Sequence, residues 1–144
     1  MTDRNPAALD PSQAKDAHID ERLRGDLILW LSSVRPDGRP HTVPVWFLWD
    51  GATVLVFSQP NQKIRNLAIN PAVTLALDGS GQGHDVVLLE GTAVVGTTAD
   101  ESAAFPAYEA KYSALIQANG WTVDSMTAQY SESIRITPTR FLFR

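Results

Sequence analysis

The chain of 144 residues contains no cysteine, which excludes disulfide bonds, thiolate metal sites and cysteine nucleophiles together. Its histidines do not follow the spacing of a metal site, so no bound metal is predicted; they are His18, His41 and His84. No apolar run approaches the roughly 18 residues that a transmembrane helix requires. The polar N-terminal stretch also lacks the apolar core of a signal peptide. We therefore expect a cytoplasmic protein without a membrane partner.

Positive charge is scarce as well. The 12 Lys and Arg residues are outnumbered by 16 Asp and Glu residues, which gives a formal net charge of −4. Nucleic-acid-binding domains typically carry a basic face, so no nucleic-acid partner is predicted. The serines have no G-x-S-x-G context, which argues against a serine hydrolase. No pair of side chains has the pattern of a catalytic dyad, and no catalytic residue is assigned from the sequence.

The sequence does contain short apolar runs separated by Gly, Pro, Asn and Asp, a pattern typical of strands joined by turns. They predict about six strands, at residues 27–34, 41–49, 53–58, 72–77, 85–96 and 133–143. Helices are predicted at about residues 10–24, 63–69, 98–119 and 121–130. Successive hairpins favour a mostly β, α+β domain, an antiparallel barrel with peripheral helices. This single domain would span residues 10–144, after a flexible tail at residues 1–9.

Residues 39–67 carry most of the functional signal. Two predicted strands meet at Asp50-Gly51, a dipeptide that suits a two-residue type I′ turn. The second strand ends at Ser58, and a short loop leads to a helix start that carries Lys63. Helix N-termini bind anions and a lysine adds a charged donor, so a phosphate-binding site is predicted here. The alternatives are a solvated helix lysine and, for Ser58, an ordinary cap or turn residue.

The order of these segments resembles that of the pyridoxamine 5′-phosphate oxidase-like group, and in particular its small actinobacterial branch of F420-dependent (deazaflavin) reductases. The resemblance is carried by VPVWF, FSQPNQKIRNL, NPAVTLAL and DVVLLEGTAVV. It implies a six-stranded FMN-binding split β-barrel and a homodimer with two cofactor sites at the subunit interface. It also implies that the cofactor ring lies against one strand and its phosphate near the next strand and helix. The matching residues are Val43, Pro44, Val45 and Trp46 for the ring, and Phe57, Ser58, Gln62 and Lys63 for the phosphate.

The function implied by the resemblance is hydride transfer between coenzyme F420 and an electron-poor small molecule, such as an enone, quinone or tetrapyrrole. An FMN-dependent reductase or oxidase is the alternative, and a split-barrel protein that binds a flavin or haem without turnover is a third. Members of the group that oxidise pyridoxamine phosphate carry a C-terminal segment with arginine and histidine; this chain has no histidine there, which argues against oxidation of vitamin B6. FMN-binding members commonly supply a second basic residue from the strand before the turn, but the strand with His41 and Thr42 has none nearer than Arg39, which favours the deazaflavin over FMN.

Overall fold

Seven strands pair into one antiparallel sheet in the computed structural model, which describes residues 8–143. The strands are β1 (Leu29–Val34), β2 (Pro40–Val45), β3 (Leu48–Trp49), β4 (Val54–Ser58), β5 (Ala72–Leu77), β6 (Val87–Thr97) and β7 (Glu132–Phe143). Across the sheet they follow the order β2-β1-β5-β6-β7-β4-β3, with every pair antiparallel. The predicted mostly β, α+β class is confirmed, and the arrangement is consistent with a split barrel.

The described residues form four α-helices, one before β1 and three between strands: α1 (Ala14–Gly25), α2 (Gln62–Ile69), α3 (Phe105–Ala118) and α4 (Val123–Gln129). A 3-10 segment, Ala99–Ala104, precedes α3. The predicted start of the first helix at Asp10 is wrong, because residues 10–13 form a separate turn, closed by a hydrogen bond from the N–H of Gln13 to the carbonyl oxygen of Asp10, and the helix begins at Ala14. Of the predicted tail, residues 1–7 lie outside the described residues, and Leu9 packs against the main core.

The predicted count of six strands is wrong because residues 41–49 form two strands instead of one. β2 lies at one edge of the sheet and β3 at the other, so the chain crosses between the edges at Trp46 and Phe47. Side chains of α3 replace the sheet hydrogen bonds at this crossing. The N–H of Phe47 donates to the hydroxyl of Tyr112 at 2.8 Å, and its carbonyl oxygen accepts from the Nζ atom of Lys111 at 2.9 Å.

The turn between β3 and β4 also differs from its prediction. A type I′ turn needs a positive φ at both central residues. Gly51 has a φ of 96°, but Asp85 is the single non-glycine residue with a positive φ in the described part of the chain. Asp50 instead accepts hydrogen bonds from the N–H groups of Ala52 and Thr53, at 2.8 and 2.6 Å. Its carboxylate therefore holds a four-residue loop over residues 50–53.

Alternating residues of the strands fill the interior of the sheet, as Leu29 and Leu31 do in β1, while Trp30 between them is 43% exposed. A register shift between Glu90 and Gly91 marks a bulge in the pairing of β6 with β7. A Cβ atom on Gly91 would lie 2.8 Å from the side chain of Ile136, so this position has no room for a side chain. A second buried cluster, centred on α3, packs against the crossing at residues 46–48.

Candidate functional site

A cavity of about 230 Å³ lies where the end of β2, the first turn of α2, and the helices α3 and α4 come together. Its walls are mostly apolar and aromatic. The strand side is formed by Pro44, Val45, Trp46 and Phe57, with Lys63 at the start of α2. The helical side includes Tyr108, Ile116, Trp121, Met126 and Tyr130. A concave apolar surface with a few polar groups is the usual form of a small-molecule site.

Five of the eight residues predicted to bind a cofactor line this cavity: Pro44, Val45, Trp46, Phe57 and Lys63. The other three do not. Val43 packs against the main core, Ser58 is fully buried with its hydroxyl donating to the carbonyl oxygen of Gln59 at 2.7 Å, and Gln62 donates to Asn66 at 2.8 Å. Cofactor binding by any of the eight stays a prediction.

Lys63 is a half-buried cation on a cavity wall. Its Nζ atom donates to the amide oxygen of Asn61 at 3.2 Å, and within residues 8–143 it forms no ion pair. Burial lowers the pKa of Lys63, because the charged form loses hydration without gaining a carboxylate. Among the described residues, no Asp or Glu lines the cavity. An anionic group bound here would supply the missing partner.

The aromatic wall is anchored by a stack between Trp46 and Tyr112, whose ring centroids lie 4.5 Å apart with planes 1° from parallel. Trp121 lies 5.8 Å from Trp46, and Tyr108 makes an edge contact with Phe57 at 5.1 Å. No pattern in the sequence places these helical residues beside the predicted site. Tyr108 and Tyr112 are four residues apart on one helix face, which indicates that they pack together but not against which strand.

Tyr112 and Lys111 fix the backbone that presents Trp46. The Tyr112 hydroxyl accepts from the N–H of Phe47 and lies 3.0 Å from the carbonyl oxygen of Phe47 and 2.7 Å from that of Leu27. Burial raises the pKa of Tyr112, so the hydroxyl keeps its proton. The Nζ atom of Lys111 lies 3.7 Å from the centroid of the Phe47 ring. Burial lowers the pKa of Lys111 to about 8.

The histidines lie away from the cavity walls. His18 pairs with Asp85 at 2.6 Å, and the buried Nδ1 atom of His41 has no partner within the described residues. In that same part of the chain, no group of three or more His, Asp or Glu side chains is placed to hold a metal ion. None of the helices formed by residues 8–143 has the length and apolarity needed to span a membrane.

Comparison with known proteins places this geometry in a family. The family model described as Pyridoxamine 5′-phosphate oxidase matches residues 16–144. None of the curated proteins compared with the chain matches it in sequence.

Solved structures share the fold over most of the chain. A structure described as an F420 reductase is 23% identical with a TM-score of 0.67, covering 85% of this chain and 94% of its own. A conserved hypothetical protein from Mycobacterium tuberculosis is 21% identical with a TM-score of 0.68, covering 98% and 88%. HutZ, a haem storage protein from Vibrio cholerae, is 18% identical with a TM-score of 0.61, covering 94% of each chain. Because the family model spans nearly the whole sequence, the chain belongs to the pyridoxamine 5′-phosphate oxidase family.

Proposed function

We propose that this protein is an F420-dependent oxidoreductase that transfers a hydride between the deazaflavin and an electron-poor small molecule. The observation that carries the proposal is that a cavity with aromatic walls also contains Lys63, a cation that has no acidic partner within residues 8–143. Such a pairing suits a planar ring that bears a phosphate. Similarity to a structure described as an F420 reductase supports the same cofactor class.

Each part of the cavity has a role in this proposal. Lys63 would donate to the cofactor phosphate, and Pro44, Val45 and Trp46 would hold the ring. When bound, the deazaflavin supplies the hydride, a hydrogen with two electrons. The chain's residues exclude water and position the acceptor, so no acid or base is needed for the transfer. Ser58 would have to give up its bond to Gln59 to reach a phosphate, which leaves Lys63 as the main anchor.

The charge of the site favours F420 over FMN. Lys63 is the one basic residue on the cavity wall in the described part of the chain. We expect FMN to need a second basic residue for its terminal phosphate, which carries about −1.5 to −2 charge near neutral pH, like the phosphomonoesters of proteins. The phosphate of F420 lies within its chain as a diester with a single charge, which one lysine can balance. FMN-dependent oxidation or reduction remains the second candidate.

A third candidate is a binding protein without turnover, since HutZ shares the fold and its name describes haem storage.

Titration of the purified protein with F420, FMN and haem, followed by visible absorption, separates the three candidates. We expect tight binding of F420 and hydride transfer from its reduced form to an enone or quinone. Stronger binding of FMN would support the second candidate, and binding of F420 without transfer to any acceptor would support the third. No binding of F420 would refute the proposal.

We also propose that the protein is a homodimer whose partner subunit completes the cofactor site. Trp30 of β1 is 43% exposed and pairs with Pro44 on one side and Ala76 on the other. The row continues through Leu88 to Leu142, so five strands present apolar residues along one line on the same face. Surfaces of this kind commonly mark protein interfaces. Pro44 belongs both to this row and to the cavity wall, which would place the site at the subunit boundary.

A further inference from the structure

Tyr108 is a buried phenol of the cavity wall whose hydroxyl has no hydrogen-bond partner within residues 8–143. The residue is 9% exposed, and its ring centroid lies 5.1 Å from that of Phe57 and 6.4 Å from that of Trp46. The hydroxyl is not sealed off from accessible space, unlike the unpartnered Nδ1 atom of His41. Water can reach this hydroxyl, so a ligand that displaces the water has to offer an acceptor oxygen or leave the phenol unsatisfied.

The phenol one helical turn later shows the difference between a structural hydroxyl and a free one. Tyr112 accepts from the N–H of Phe47 at 2.8 Å and lies within hydrogen-bond distance of two carbonyl oxygens. The hydrogen bonds of the Tyr112 hydroxyl therefore stabilise the crossing between β2 and β3. Tyr108 has a similarly buried ring but makes no such bond to the described chain, so its hydroxyl is available to a ligand.

The Tyr108 hydroxyl would act as a donor. Burial raises the pKa of Tyr108, with smaller contributions from the nearby phenols of Tyr112 and Tyr130. The group therefore keeps its proton throughout the neutral range and offers it to an acceptor without releasing it. A phenol in this state stabilises negative charge on a nearby oxygen by hydrogen bonding.

Lys63 makes the same demand of a ligand, because an ammonium group can only donate. The hydroxyls of Thr98 and Thr127 already donate to backbone carbonyl oxygens, at 2.5 and 3.1 Å, so they offer no further donor. Among residues 8–143, no carboxylate lines the cavity. The ligand must therefore bring acceptor oxygen atoms to this site, as a phosphate does at Lys63 and as a carbonyl would at Tyr108.

We infer that the Tyr108 hydroxyl donates a hydrogen bond to the carbonyl oxygen of the hydride acceptor, an enone or quinone. The inference rests on the proposed function, since it assigns the acceptor of the same site.

The assigned hydrogen bond becomes stronger as the reaction proceeds. When an enone accepts a hydride at its β-carbon, a new C–H bond forms there and the conjugated electrons shift to the oxygen, which becomes an enolate. The two electrons come with the hydride from reduced F420, which is oxidised, and solvent then supplies a proton to the product. Charge develops on the oxygen that Tyr108 contacts, so the interaction favours the transition state over the bound acceptor.

The test compares two ligands that differ in their oxygen atoms. Menadione is a two-ring quinone, and methylnaphthalene has a similar ring pair without oxygen. Equilibrium dialysis of both against the cofactor-free protein needs no turnover, so it can succeed or fail independently of F420 binding. We expect Tyr108→Phe to weaken menadione binding about 3- to 10-fold, the effect of one hydrogen bond, and to leave methylnaphthalene binding unchanged. Equal losses for both ligands, or no loss for menadione, would overturn the inference.

Ser113→Ala is the control, because it removes a hydroxyl from an exposed position of the same helix, outside the cavity wall. We expect it to leave the ratio of the two affinities unchanged. The infrared carbonyl stretch of menadione bound to the unmodified protein gives a measurement that needs no variant. A frequency below that of menadione in an apolar solvent supports the hydrogen bond, and an unshifted frequency contradicts it.

A second experiment tests the assignment to the acceptor with reduced F420 present. Tyr108→Phe should lower kcat/KM for menadione or an enone and leave the Kd of F420 unchanged. The reverse result, weaker F420 binding with unchanged menadione affinity, would assign the hydroxyl to the cofactor and overturn the inference. If the unmodified protein fails to bind F420, the proposed function fails, while the dialysis experiment still tests Tyr108.

Discussion

Trp46 and Tyr112 form a parallel stack across the boundary between sheet and helix, with their ring planes 1° apart. The same tyrosine binds the backbone of Phe47 through its hydroxyl, so one side chain positions both the indole and the peptide that follows it. The chain bends at this peptide, and the bend lets β2 and β3 occupy opposite edges of the sheet. Tyr112 therefore connects the closure of the sheet to the shape of the cavity.

We expect Tyr112→Phe to destabilise the fold by about 1–3 kcal/mol, because it leaves the N–H of Phe47 buried without its partner. The stacked ring is retained, so the loss isolates the hydroxyl. Urea unfolding followed by circular dichroism measures the change. Tyr108→Phe is the control, since it removes a hydroxyl that has no bond to the described chain, and it should be close to neutral. Equal stabilities of the two variants would show that the Tyr112 hydroxyl does not support the crossing.

Lys63→Ala is expected to weaken F420 binding by about 1.5–3 kcal/mol, the range for hydrogen bonds to charged groups, or roughly 10- to 150-fold in Kd. Fluorescence titration of the deazaflavin measures it. Lys63→Arg keeps the positive charge and should recover most of the affinity. Arg65→Ala is a matched control on the same helix, because Arg65 is exposed and binds Gln62. An unchanged Kd for Lys63→Ala would remove this residue from the site.

The sequence predicted those elements whose ends are set by local chemistry. The strand at residues 72–77 is one of them, because Asn70-Pro71 precedes it and Asp78-Gly79 follows it. The strand at residues 41–49 has no such signal inside it. Its break at Phe47 depends on hydrogen bonds from Lys111 and Tyr112, which follow more than 60 residues later. No local pattern carries that information, so one strand was predicted where there are two.

The sequence predicted the strand wall of the cavity but not its helical wall, because the helical wall also depends on contacts between distant parts of the chain. The strand wall and Lys63 lie within a single stretch, so their proximity follows from chain order. The helical wall is brought there by tertiary packing of α3 against the crossing. The spacing of Tyr108 and Tyr112 is that of one helix face, but spacing alone cannot show that this face covers Trp46.

Lys111 makes stability depend on pH. Its pKa in the folded protein is lowered to about 8 from 10.5, chiefly by burial, so folding disfavours the charged form. Below pH 8, Lys111 is protonated in both the folded and the unfolded protein, so the full cost of burying its charge reduces the stability. Between about pH 8 and 10.5 the unfolded state binds more protons, so this residue raises the stability as pH increases. Lys111→Met should remove that rise.

The measurement for Lys111 is the free energy of unfolding of both proteins from pH 7 to 10.5. Other groups titrate in this range, so the difference between the proteins is the informative quantity. We expect the variant's relative stability to fall as pH rises, because the unmodified protein alone is relieved of its buried charge. A difference that is constant with pH would show that Lys111 titrates at its ordinary value. Lys15→Met, at an exposed position of α1, provides the control.

Trp30→Glu tests the proposed homodimer. The indole lies at the centre of the apolar row between Pro44 and Ala76, and a carboxylate there would lose hydration when a second subunit covered the row. We expect sedimentation velocity to show a dimer for the unmodified protein and a monomer for the variant. The monomer should also bind F420 more weakly, because Pro44 joins the row to the cavity.

Val94→Glu is the matched control for Trp30→Glu, since Val94 is 67% exposed on β6 and outside the row. A variant that stays dimeric would place the interface on another surface, and a monomer with unchanged affinity would show that one subunit forms the whole site.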